Sequence, residues 1–230
     1  MAKQNFLLFM IITAVLITPG TGFTQKPTIE AIKTTQHIIV IDPGHGGIQD
    51  GLVTSSGLKE KTIALTLAKK TAQKLESRYA VFLTRTRDVD IPSRERIYLA
   101  NKNSADLFLC IHLHSSSKPS GFFYYFDPPE LYRQSTSSDQ NTWKLHPLIH
   151  QSGSKRAVDS FLSIFSAHKK NYPFFSNGVP IMPLEGASMP AVLIEPLSIA
   201  LLPRHPNEIE KILDEYALLI SKSIDLYFKK

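Results

Sequence analysis

The chain has 230 residues, of which 43% are hydrophobic and 20% charged, with a net charge of +6 and a pI near 9.3. That length suits one domain of ordinary size, and the composition is globular rather than disordered or fibrous. The positive charge suits an anionic partner, but Lys69-Lys70, Lys169-Lys170 and Lys229-Lys230 are isolated doublets without interleaved aromatics, which argues against nucleic acid. Cys110 is the single cysteine, so no disulfide framework exists.

The amino terminus reads as a targeting segment. Lys3 gives a positive start, Phe6 to Ile17 is an apolar or weakly polar run of twelve residues, and Gly20-Thr21-Gly22 offers small residues for cleavage after Gly22. The run is too short for a spanning helix and fits a signal-peptide core. Residues 1–22 are therefore expected to be a signal peptide, residues 23–36 a polar leader and residues 37–230 one catalytic domain. Export to the periplasm or cell envelope follows, with an uncleaved anchor as the alternative and the only membrane attachment. No cysteine is available here for a lipid anchor, and no internal repeat or appended wall-binding module is visible.

The first strand is expected at Ile38 to Ile41, a β-branched run ending in Asp42-Pro43-Gly44-His45-Gly46-Gly47. The glycines let the backbone turn sharply and approach a ligand closely. A polar loop over residues 48–58 leads to a helix from Glu60 to Tyr79. Ala80 to Thr84 reads as a second strand, and Ser93 is expected to cap a helix running through Ala100. Leu107 to Ile111 is a fully apolar third strand and Gly121 to Phe126 an aromatic fourth. Residues 127–151 are irregular and read as an inserted loop with some helical turns. A helix over Ala157 to Ala167, strands over Gly178 to Leu184 and Ala191 to Ile194, and a closing helix over Pro206 to Phe228 complete the chain. Strands alternating with helices predict a single α/β domain, with a mostly parallel sheet of about six strands flanked by helices on both faces.

Four groups share one context. His45 follows the first strand, Glu60 opens the helix after it, His112 ends the third strand and Glu195 ends the strand from Ala191. A parallel sheet gathers strand ends at one edge, where open α/β sheets place their sites. Two imidazoles and a carboxylate match a catalytic zinc site with an open position for water, and a second carboxylate can take a proton from that water. Rival readings stand beside this one. His45 could cap a turn, Glu60 could answer the helix dipole, and His114 competes with His112 from the same strand face. Cys110 could be a thiol nucleophile beside His112 rather than a small buried hydrophobe. Glu195 is costly to bury at an apolar strand end without a role or partner.

Asp42-Pro43-Gly44-His45-Gly46-Gly47, Leu58-Lys59-Glu60-Lys61, Asp106 to His112 and Met189 to Glu195 resemble, in order and spacing, the zinc-dependent N-acetylmuramoyl-L-alanine amidases of bacterial cell-wall remodelling. Thr84-Arg85, Asp88, Arg94 and Ala100-Asn101 also resemble the family's segment between strand and helix. The resemblance implies zinc held by His45, Glu60 and His112, with Glu195 as catalytic base and peptidoglycan as substrate. It also places the ligand at His112, and His114 where the family has Asn or Asp. Thr62 and Pro196-Leu197-Ser198-Ile199 depart from the family pattern. Some members cover the zinc with a helix until an activator protein displaces it, and here Glu130, His146 and His150 of the insertion could approach the metal, although the short, polar insert favours a plain surface loop. A catalytically silent wall-binding or regulatory protein, and a zinc peptidase of different specificity, are the alternatives to the amidase.

Overall fold

In a computed structural model, residues 36–136 and 142–229 are described. The expected signal peptide and nearly all of the leader lie outside them. Six strands are present: β1 (Ile38–Pro43), β2 (Ala80–Leu83), β3 (Leu107–Ile111), β4 (Gly121–Phe126), β5 (Phe174–Val179) and β6 (Ala191–Glu195). The α-helices are α1 (Glu60–Leu75), α2 (Ser93–Lys102), α3 (Glu130–Thr136), α4 (Gln151–His168) and α5 (Pro206–Phe228). The sheet order is β2-β1-β3-β6-β4-β5. β2, β1, β3 and β6 run parallel, β4 reverses against β6, and β5 is parallel to β4.

Alternation along the central strands sends side chains to two separate cores. Ile39, Ile41, Leu107, Leu109, Val192 and Ile194 pack with α1, α4 and α5 on one face. Val40, Phe108, Cys110 and Leu193 pack with α2, the segment 142–150 and the 3-10 turn Met182–Leu184 on the other. Strands buried on both faces are what continuous apolar runs specify.

Several boundaries differ from expectation. The strand expected over Gly178 to Leu184 lies earlier, at Phe174–Val179, because Phe174 and Phe175 pair with Gly121 and Phe122, whereas Pro180 and Pro183 cannot donate to a ladder. Ser93 is not a cap: it is the first helical residue of α2, Pro92 holds the cap position, and no side chain caps that end. α1 stops at Leu75, and α4 begins at Gln151, earlier than its apolar spacing indicates. The insertion holds α3 and a 3-10 helix over Thr142–His150.

Candidate metal centre

The topology sets the carboxyl ends of β1, β3 and β6 side by side, and these deliver His45, His112 and Glu195. Gly44 N–H donates to Ile111 O at 2.9 Å and His112 N–H to Ile194 O at 2.9 Å, so the three strand ends are stitched together. Glu60 enters at the first residue of α1, its backbone held by Leu52 O at 2.8 Å.

His45, Glu60 and His112 converge, with their potential donor atoms all within 4.8 Å of one another. His45 Nε2 lies 3.1 Å from Glu60 Oε2, and His112 Nδ1 lies 3.0 Å from Glu60 Oε1. Burial alone would raise the Glu60 pKa. Hydrogen bonds from His112, His45 and the N–H groups of Leu113 and Leu52 outweigh it, so the carboxyl sits well below the usual range and stays ionised. The two imidazole rings meet edge to face, 4.7 Å between centroids. They open onto a cleft of about 140 Å³ lined also by Gln49, Ile91, Met182 and Pro183.

The backbone around these donors is shaped for them. His45 itself adopts φ 59°, a left-handed conformation uncommon outside glycine. A Cβ on Gly44 would lie 2.4 Å from the His112 ring, and one on Gly51 would lie 2.6 Å from both Glu60 Oε2 and His45 Cδ2. Two nitrogens and one ionised oxygen, cradled this closely and open on one side, fit a catalytic zinc ion.

A buried ionic layer beneath the turn went unseen in the sequence. Arg96 donates to Asp42 Oδ1 at 2.9 Å, to Pro43 O at 2.9 Å and to His45 O at 2.7 Å. Arg85 donates to Pro43 O at 2.9 Å, Gly44 O at 2.7 Å and Lys61 O at 2.8 Å. Thr84 and Cys110 also donate to Asp42. Lys61 joins Gly47 O, Asp50 and Asp88. Arg85 and Arg96 together clamp the turn, and Arg94 makes none of these bonds. Replacing Arg96 with Met leaves Asp42 buried without its cation and should cost about 3–5 kcal/mol of stability, read from urea unfolding. A loss below about 1 kcal/mol would contradict the clamp.

Glu195 closes β6, opposite Phe122 of β4. Among the described residues nothing donates a hydrogen bond to its carboxylate. Burial, with the nearby charge of Glu60, pushes its pKa up to about 7. A carboxyl with this pKa can both accept and return a proton near neutral pH.

The rival candidates are placed elsewhere. His114 Nε2–H donates to Ser120 O at 2.9 Å and its ring stands edge-on to Phe122, outside the converging set. Cys110 is fully buried in the opposite core. Burial and the adjacent Asp42 charge push its thiol pKa well up, which removes it as a nucleophile. His150 lines a cavity with His37 and Asp106 at the amino ends of the strands, across the sheet from the metal donors. No described residue of 127–151 lines this cleft, and Glu130, His146 and His150 do not join the converging donors. The departing segment after Glu195 also has a structural part: Ser198 Oγ accepts from Ser116 N–H and donates to Ser116 O, tying the loops after β3 and β6 together.

A mostly parallel α/β sheet thus carries at its carboxyl edge a donor set that could hold a metal ion. The family model described as N-acetylmuramoyl-L-alanine amidase matches residues 39–223, and the chain belongs to that family. It is 34% identical over 168 residues to the endolysin of Bacillus phage SPP1, covering 70% of this chain and 55% of that protein. It is 39% identical over 85 residues to the amidase AmiA of Escherichia coli, covering 36% of this chain and 29% of AmiA. The matched stretches thus span about half or less of these relatives' lengths. The crystal structure of an N-acetylmuramoyl-L-alanine amidase from Clostridium difficile 630 superposes with a TM-score of 0.63 at 26% identity, covering 86% of this chain and 99% of that one.

Proposed function

We propose that this chain hydrolyses the amide between the lactyl group of N-acetylmuramic acid and the L-alanine of peptidoglycan stem peptides, for cell-wall remodelling or cell separation. The observation that carries this is the convergence of His45, Glu60 and His112 at the sheet edge where Glu195 ends the adjoining strand. His45, Glu60 and His112 would hold zinc, which when bound supplies Lewis acidity toward water and the amide carbonyl. The ionised state of Glu60 keeps it ready to bind a cation. The turn clamped by Arg85 and Arg96 fixes the direction in which His45 points. Glu195 takes the proton of the attacking water and returns it to the departing L-alanine amine, and its burial raises its basicity for that transfer. Export rests on the apolar run Phe6 to Ile17, and the net charge of +6 suits an anionic wall polymer.

The test is incubation of the protein with purified peptidoglycan, with and without a chelator and without an added partner, followed by mass spectrometry. Free stem peptides beginning at L-alanine, lost on chelation, are expected. Cleavage elsewhere indicates a peptidase, and no cleavage indicates a binding protein. Turnover without a partner is expected because the described part of the insertion leaves the cleft clear. Turnover that begins only when an activator is supplied would restore the occlusion reading.

A further inference from the structure

A second cavity of about 340 Å³ adjoins the metal cleft, with Ser93 and Met182 lining both. The second cavity is completed by Arg94, Trp143, Lys144 and Glu185. Trp143 comes from the insertion and packs over Gly186, where a Cβ would lie 2.6 Å from the indole. That glycine has φ +80°, so the ring sits on bare backbone. The Arg94 guanidinium lies 5.0 Å from the centre of the indole and the Lys144 ammonium 5.9 Å. Among the described residues no carboxylate pairs with either cation, whereas Glu185 is engaged by the hydroxyl of Tyr132. Two cations without acidic partners thus flank an aromatic face, beside the proposed scissile position.

We propose that this shelf binds the free carboxylates of the stem peptide, so that the chain prefers acidic stems over amidated ones. The inference rests on the amidase reading for its substrate. Its physical basis is charge complementarity and adjacency to the metal cleft: cations held against an indole are pre-oriented, and a carboxylate is the group they lack. The exposed thioether of Met182, at the junction of the two cavities, offers an adaptable apolar contact to the alanine side chain between them.

Trp143 is the only tryptophan in the chain, so its emission reports on this shelf alone. The experiment titrates N-acetylmuramoyl-L-alanyl-D-glutamate, with two free carboxylates, and its diamide, with none, into the Glu195→Gln protein to prevent turnover. Tryptophan fluorescence and calorimetry are read together. The diacid is expected to shift the emission saturably, the diamide to bind more weakly, and added salt to narrow the difference. Arg94→Gln combined with Lys144→Met should weaken diacid binding roughly five- to tenfold and leave the diamide unchanged. Equal binding of diacid and diamide, or a double variant that binds the diacid as the parent does, overturns the proposal. Stem-peptide release by the wild type is followed separately. Diacid-selective binding without release would leave the shelf standing and remove the amidase reading, whereas release without selectivity would do the reverse.

Discussion

Replacing Glu195 with Gln is expected to reduce stem-peptide release at least about a thousandfold while leaving bound zinc unchanged, because a general base contributes on this scale and the amide cannot accept the proton. The same variant should report on the burial of the carboxyl. Its folded pKa of about 7 lies above its ordinary value of 4.5. The folded metal-free protein therefore holds that proton more tightly than the unfolded chain. Stability tied to this proton is fully present below about pH 4.5 and is lost as the pH rises through about 7. Gln keeps the neutral shape at every pH, so the metal-free variant should gain about 3 kcal/mol over the parent at pH 8 and almost nothing at pH 4. In the metal-loaded parent, release should rise with pH as the base loses its proton. Loss of zinc from the variant, or retained release, would remove Glu195 from the role of base.

Removing a donor attacks the other half of the site. His45→Ala or His112→Ala should lower zinc stoichiometry from about one to near zero at micromolar metal, and activity with it, since a three-donor site does not survive as two. The fold should persist. Both rings are partly exposed at the cleft, and the cores on either face of the sheet do not depend on them. His114→Ala, in contrast, should keep its zinc, because that ring bonds Ser120 and stands against Phe122. Mass spectrometry of the native protein reads all three. Zinc retained in His112→Ala and lost in His114→Ala would reverse the assignment of the third ligand.

The strands and the donors were legible where a local pattern determines them. An apolar run ending in a Gly-rich turn marks β1 and His45, and the unbroken apolarity of β3 marks a strand covered on both faces. Features made by distant contacts were not legible. Arg96 and Asp42 are separated by 54 residues, and nothing local to Arg96 distinguishes it from Arg94. The left-handed backbone of His45 is imposed by its surroundings rather than by its residue type. The start of β5 depends on aromatic pairing with β4, while the apolar residues after Gly178 gave a false strand signal that two prolines should have cancelled. The reversal of β4 is a property of the sheet as a whole. Trp143 looked isolated because the backbone it rests on, Gly186, lies far along the chain.

That reversal has an evolutionary consequence. Because β4 runs against β6, the chain leaves the sheet at Phe126 beside Val192 and Ala191, at the edge remote from the metal donors, and re-enters through α4, where Ser154 accepts from Ala191 N–H at 3.0 Å. Both ends of the 127–150 excursion are therefore moored at the far edge, and among its described residues Trp143 and Lys144 reach toward the cleft. Lengthening, shortening or exchanging this stretch need not disturb His45, Glu60 or His112. On the proposed readings, the Trp143 and Lys144 part of the shelf and the groups proposed for bond cleavage come from different portions of the polypeptide, so that part can drift under selection while those groups are held constant.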